Sequence, residues 1–120
     1  MNTIVSINTH WQRLPQAHLA SRLAPDLPGL YAYGEVVDIL GLPAEIRWAY
    51  VGRTSNLSRR LAEHESPREP NLALRQWLRS GLKQEVWYRI LQPTTLRSLE
   101  ADLIRALTPP FNTIQPQLVN

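Results

Sequence analysis

The spacing of apolar positions changes several times along this chain, and each change marks an element. GLYAYGEVVDIL, residues 29–40, is aromatic and β-branched and reads as a strand. GLP at 41–43 supplies turn residues, and EIRWAYVG returns as a second strand, so the pair is expected as a hairpin with a longish loop. After Gly52, Ser55 or Asn56 can cap a helix that buries Leu57 and Leu61 and stops at the prolines of SPREP. NLALRQWLRSGL predicts a second helix, capped by Asn71, with Leu74, Trp77 and Leu78 inward and Gly81 closing it. QEVWYRIL predicts a third strand. A third helix, capped by Thr94 or Thr95, carries an apolar stripe of Leu96, Leu99, Leu103, Ile104 and Leu107 and ends at TPPFN. The expected order is β-β-α-α-β-α. That is an α+β domain with a small three-stranded, mainly antiparallel sheet flanked by helices.

Residues 28–120 read as this domain and residues 1–27 as an N-terminal extension. The extension holds a short helix in QAHLASRL and a breaker-rich lead, LAPDLPG, into the first strand. At 120 residues and 43% hydrophobic, the chain is large enough for one core. It has no cysteine, which removes disulfides, thiolate metal sites and a cysteine nucleophile, and which suits a reducing cytoplasm. The first ten residues show no basic segment leading into an apolar run, so no secretory leader is expected. No apolar run approaches the length of a membrane span.

The charge is uneven. Residues 53–83 hold Arg53, Arg59, Arg60, Arg68, Arg75, Arg79 and Lys83 against Glu63, Glu65 and Glu69, while the whole chain carries only +3. A basic stretch on an otherwise near-neutral domain suits a polyanion such as nucleic acid. A solvated helical face gives the same pattern.

Four side chains near the hairpin can converge. Arg60 and His64 are four apart and share one helix face. Tyr50 ends the preceding strand, and Tyr31 lies on the partner strand. Glu100 stands apart. It sits beside the apolar stripe of the third helix, where a carboxylate costs free energy unless it is solvated, paired or bound to a cation.

GLY at 29–31, YVG at 50–52, SNLSRRLAEH after it, and LEADLIRALTPPFN further on resemble the GIY-YIG nuclease superfamily, block by block and in order. The resemblance spans about residues 28–113, with Leu30 and Val51 where the motif has isoleucine. It implies that Tyr31 and Tyr50 are the two motif tyrosines, Arg60 the essential arginine, His64 the frequent histidine, Glu100 the metal-binding glutamate and Asn112 the asparagine after a proline-bearing turn. It also implies an endonuclease that hydrolyses phosphodiester bonds in DNA with Mg²⁺ or Mn²⁺. With a single acidic ligand, one divalent ion that keeps most of its waters is expected.

In the family picture Tyr31 takes the proton from the attacking water. A phenol near pKa ~10 is a poor base at neutral pH, so positive charge from Arg60 and the metal is expected to favour phenolate. His64, near ~6.5 unperturbed, is the rival base or a positioning group. Arg53, Arg59, Arg75, Arg79 and Lys83 are the candidates for further nucleic-acid contacts. The expected state is a monomer or a weak homodimer in the cytoplasm. The competing reading is a non-catalytic nucleic-acid-binding domain on the same fold.

Overall fold

The computed structural model describes residues 10–112. The elements are β1 (Gln12–Leu14), a short 3-10 helix (Ala17–Arg22), β2 (Gly29–Ile39), β3 (Leu42–Thr54), α1 (Leu57–Glu65), α2 (Leu72–Leu78), β4 (Gln84–Ile90) and α3 (Pro93–Leu107). The four strands form one antiparallel sheet in the order β1-β4-β2-β3.

The sheet thus has four strands where the sequence pattern predicts three. The extra strand, β1, is three residues long and pairs Gln12, Arg13 and Leu14 with Tyr88, Trp87 and Val86. So short a strand shows no alternation in sequence. It is held by pairing and by the ion pair of Arg13 with Glu85. The 3-10 helix that follows buries Ala17 and Ala20. It is tied to α1 through Glu65, whose carboxylate accepts from Ser21 N–H at 2.9 Å and Ser21 Oγ at 2.7 Å. Residues 12–22, which lie outside the family resemblance, therefore build part of the same core.

The expected long hairpin loop is a two-residue turn. Ile39 pairs with Leu42, and both turn residues take positive φ, 54° at Leu40 and 85° at Gly41. That is the geometry which continues the right-handed twist of the flanking strands. Gly41 adopts it readily; Leu40 does so with its side chain in solvent. Pro43 is accommodated because β3 is an edge strand, where a missing ladder donor costs little.

Alternation divides the side chains of β2 between two layers. Tyr31 and Tyr33 pack with Leu57, Leu61, Leu74 and Trp77 from α1 and α2, and Val86 completes this core. Leu30 and Ala32 point to the opposite face, on the side of α3, where Leu30, Leu99, Leu103 and Ala106 line a common groove. Within α3 only Leu96 is fully buried, so the stripe predicted there is half covered. Its start also differs from expectation. Pro93 occupies the first turn, which its fixed φ favours, and Gln92 rather than a threonine precedes it.

The start of α1 is fixed by three bonds. Asn56 Oδ1 accepts from Arg59 N–H, as expected of a cap, and the N–H groups of Leu57 and Ser58 donate to the carbonyls of Leu27 and Pro25. This locks the helix carrying Arg60 and His64 against the loop that feeds β2.

Candidate active site

Tyr31 sits opposite Gly52 in the β2–β3 ladder, and Tyr33 sits opposite Tyr50. The Tyr31 ring leans across Gly52 so closely that a Cβ there would collide with its hydroxyl and ring carbons. The glycine of the second triplet is thus required by the tyrosine of the first. The requirement is one of space, since Gly52 is not among the positive-φ residues.

Passing over Gly52, the Tyr31 hydroxyl comes 2.6 Å from Nε2 of His64. The imidazole is 2% exposed and is boxed by three phenol rings, with centroids 5.4 Å (Tyr31), 5.7 Å (Tyr33) and 5.5 Å (Tyr50) away. Its other nitrogen, Nδ1, lies 2.5 Å from Oε1 of Glu69. Glu69 Oε2 accepts from Asn71 N–H at 2.7 Å. A continuous buried chain therefore runs Tyr31–His64–Glu69–Asn71, and Asn71 in turn caps α2.

Sequence reasoning missed Glu69. In the sequence it stands only as one of three acids within the basic stretch, yet it is 2% exposed. The one sequence signal was its position, between two prolines and two residues ahead of a capping asparagine, where a short loop must turn inward.

Arg60 is one-third exposed and donates to Glu63 Oε1 at 2.8 Å. Burial opposes its charge. Glu63 and the Tyr31 and Tyr50 hydroxyls outweigh that and hold its pKa above the ordinary arginine value. Arg60 pulls both phenols down, but burial dominates, and Tyr31 is pushed well above its usual value, Tyr50 less far. Burial and the Arg60 charge together hold His64 below its ordinary pKa, against the pull of Glu69. At rest the cluster is two neutral phenols and a neutral imidazole under one guanidinium.

Glu100 approaches from the α3 side at the β3 edge. Its Oε1 accepts from Arg53 Nε at 2.9 Å, and Arg53 pairs with Leu30 on the face opposite Tyr31. Its charge still reaches both phenols and adds to their upward shift. Among the described residues no group of three or more His, Asp or Glu side chains could enclose a metal. Glu100, with 21% of its side chain exposed, fits a hard cation that takes its remaining oxygens from water and substrate, with Arg53 in competition for one carboxylate oxygen.

Asn112 has a different place from the rest. Its Oδ1 accepts from Val51 N–H at 2.8 Å and its Nδ2 donates to Val51 C=O at 2.7 Å. It occupies the open edge of β3 as a further strand would, between Tyr50 and Gly52.

The basic candidates scatter. Arg53 is held by Glu100. Arg59 is exposed beside Ser55 and Glu63. Arg75 and Arg79 wall a small pocket with His18, His64 and Glu65. Lys83 pairs with Asp38 at 3.3 Å. Asp38 lies seven residues along β2 from Tyr31, roughly 23 Å at the usual strand rise, so Lys83 is not part of the cluster.

An antiparallel sheet flanked by helices in this order is the GIY-YIG nuclease fold. The GIY-YIG N-terminal endonuclease domain of UvrC from Thermotoga maritima, bound to its catalytic magnesium, matches with a TM-score of 0.54 at 22% identity, over 79% of this chain and 93% of that one. A tyrosine-to-phenylalanine mutant of the same domain, bound to the catalytic divalent cation, matches with a TM-score of 0.54 at 21% identity, over 79% and 92%. At that identity the likeness is one of fold. No protein-family model matches the sequence, and no curated protein matches it. Among the described residues no helix is long and apolar enough to cross a membrane.

Proposed function

We propose that this protein is a GIY-YIG-type endonuclease that hydrolyses phosphodiester bonds in DNA with a divalent cation, Mg²⁺ or Mn²⁺, held by Glu100. The observation that carries this reading is the convergence of Tyr31, Tyr50, Arg60 and His64 around the buried Tyr31–His64 hydrogen bond, within electrostatic reach of the Glu100 carboxylate. A structural cluster has no need of a partly exposed arginine whose charge reaches two phenols.

Phosphodiester hydrolysis needs a deprotonated water, neutralisation of the phosphate and stabilisation of the leaving oxygen. The planar guanidinium of Arg60 neutralises the phosphate through paired N–H donors. Tyr31 serves as the base without resting as phenolate. It takes a proton from the attacking water while its own hydroxyl proton passes to His64 Nε2, 2.6 Å away. This removes the difficulty that burial raises the phenol's pKa. Tyr50 lines the accessible side of the same cluster, and Asn112 holds the β3 segment that carries it. A cation on Glu100 would supply charge stabilisation at the leaving oxygen. Arg53, Arg59, Arg75 and Arg79 are further contacts to the DNA backbone. Lys83 belongs to an extended footprint.

The test is cleavage of supercoiled plasmid, branched DNA and single strands by the wild type and Glu100→Gln, with Mg²⁺, Mn²⁺ or EDTA. Cleavage by the wild type alone, abolished by EDTA, supports the reading. DNA binding without cleavage on every substrate would make the chain a binding domain on the same fold.

A further inference from the structure

We infer that Glu69 is a positioning residue of this site: its buried carboxylate fixes the His64 proton on Nδ1 and so leaves Nε2 bare to accept the Tyr31 hydroxyl. The inference rests on the nuclease reading only for its kinetic consequence.

Glu69 is the sole carboxylate in contact with His64 among the described residues, and both of its oxygens are engaged. Oε1 meets His64 Nδ1 and Oε2 accepts from the Asn71 backbone. Its own N–H donates to the Ser66 carbonyl at 3.2 Å, which pins the loop. A carboxylate at 2% exposure is costly to hold without partners, and its one side-chain partner is the imidazole. An ionised carboxylate only accepts, so Nδ1 must donate. A neutral imidazole has one proton. With that proton on Nδ1, Nε2 is an acceptor, and the Tyr31 hydroxyl, 2.6 Å away, is the donor. When Tyr31 passes its proton to Nε2, the imidazolium forms against an anion already in place.

The groups facing His64 are Arg60 and Glu63 from its own helix, Tyr31, Tyr33 and Tyr50 from the sheet, and Glu69 from the loop. Beyond its far edge lies the pocket shared with His18, Glu65, Arg75 and Arg79. Of these, Glu69 alone touches Nδ1.

Glu69→Gln is diagnostic because the site needs two acceptors, for Asn71 N–H and for His64 Nδ1–H, and an amide has only one oxygen. Two-bond ¹H–¹⁵N NMR of the His64 ring, assigned by its loss in His64→Asn, reads the tautomer without any reference to cleavage. The wild type should show the Nδ1–H tautomer near neutral pH. Glu69→Gln should move toward the Nε2–H form, lower the imidazole pKa further by removing the anion, and cut single-turnover cleavage on the order of 100-fold, with DNA affinity unchanged. Glu69→Asp, which keeps the charge, should retain the Nδ1–H tautomer and recover part of the rate. An Nε2–H tautomer in the wild type overturns the inference. So does a folded Glu69→Gln with an unaltered tautomer and imidazole pKa. If Glu69→Gln does not fold, the wild-type tautomer decides. If the wild type cleaves no DNA, the nuclease reading fails while the tautomer result stands by itself.

Discussion

The ring of Tyr31 lies over the backbone of Gly52, its register partner across the β2–β3 ladder, with no room for a side chain between them. Gly52→Ala would drive a methyl into the phenol. The ring cannot swing away, since Tyr33, Tyr50 and His64 pack around it. Overpacking of this kind costs about 1–3 kcal/mol. A fall of several degrees in Tm is expected, together with loss of cleavage, because the displaced hydroxyl no longer meets His64. A Gly52→Ala protein with wild-type Tm and rate would show that the ring does not need this space.

Tyr31 and Tyr33 share one face of β2 but should respond oppositely to the same substitution. Tyr33 Oη is the one buried side-chain polar atom without a hydrogen-bond partner among the described residues. Removing it in Tyr33→Phe should be neutral or stabilising by up to about 1 kcal/mol. Tyr31→Phe deletes a bond to a buried imidazole and should cost about 1–2 kcal/mol. It should also lower cleavage by about two to four orders of magnitude, the usual worth of general base catalysis. Chemical denaturation of the two variants, alongside single-turnover rates, makes the comparison; equal responses would mean the two hydroxyls are not distinguished.

The Arg53–Glu100 pair is exposed on the Arg53 side, and pairs of that kind contribute roughly 0–1 kcal/mol. Glu100→Gln should therefore leave Tm nearly unchanged while abolishing metal-dependent cleavage. Arg53→Ala should lower the Mg²⁺ concentration needed for half-maximal rate, since a competing cation has been removed from the carboxylate. A higher Mg²⁺ requirement in Arg53→Ala would mean that Arg53 does not compete with the metal for the Glu100 carboxylate.

Much of this was legible in the residues, for identifiable reasons. GLYAYGEVVDIL is a near-continuous apolar run, and its first six residues are buried because β2 is covered on both faces, while the helices around Leu57/Leu61 and Leu74/Trp77 carry helical spacing that their burial follows. Tyr31, Tyr50, Arg60 and His64 do meet, because helical spacing and ladder register are local quantities. What stayed hidden depends on packing across the chain. β1 is too short to alternate. Glu69 sits in a loop without a period, so its burial cannot be read from spacing. The bonds of the Asn112 amide to Val51 depend on how the chain after α3 returns to the edge of β3, which no spacing encodes. The balance between burial and Arg60 at Tyr31 depends on how closely the core closes over the ring, which no motif encodes.

Asn112 makes a prediction of its own. Its amide both donates to and accepts from Val51, so Asn112→Asp places a second acceptor against the Val51 carbonyl. That variant should be destabilised by at least as much as Asn112→Ala, about 1–3 kcal/mol for a lost or opposed pair. Cleavage should fall with the loosening of β3, and amide hydrogen exchange at Val51 should quicken in both. An Asn112→Asp protein as stable as the wild type would exclude this clamp.

The pH dependence separates a relay through His64 from a resting phenolate. His64 is held below its ordinary pKa, first by burial and then by Arg60, with Glu63 and Glu69 pulling the other way. Tyr31 is pushed up, chiefly by burial. If the water's proton goes to Tyr31 while the Tyr31 proton goes to Nε2, the working form has neutral His64 and neutral Tyr31. The single-turnover rate should then rise with pH through a value below ~6.5 and stay level from neutrality into mild alkali. A phenolate mechanism would instead keep rising past pH ~10, because the scarce form is the ionised one. The same shift acts on stability. Between the folded pKa of His64 and ~6.5 the unfolded chain binds the extra proton, so the His64 contribution is present above ~6.5 and is lost as pH falls through the folded value. Tm and rate should therefore decline together on the acid side, and His64→Asn should flatten the acid limb of the Tm curve. A wild-type rate that climbs steadily from pH 7 to 10 would rule out the relay and return the base to a phenolate at Tyr31 or Tyr50.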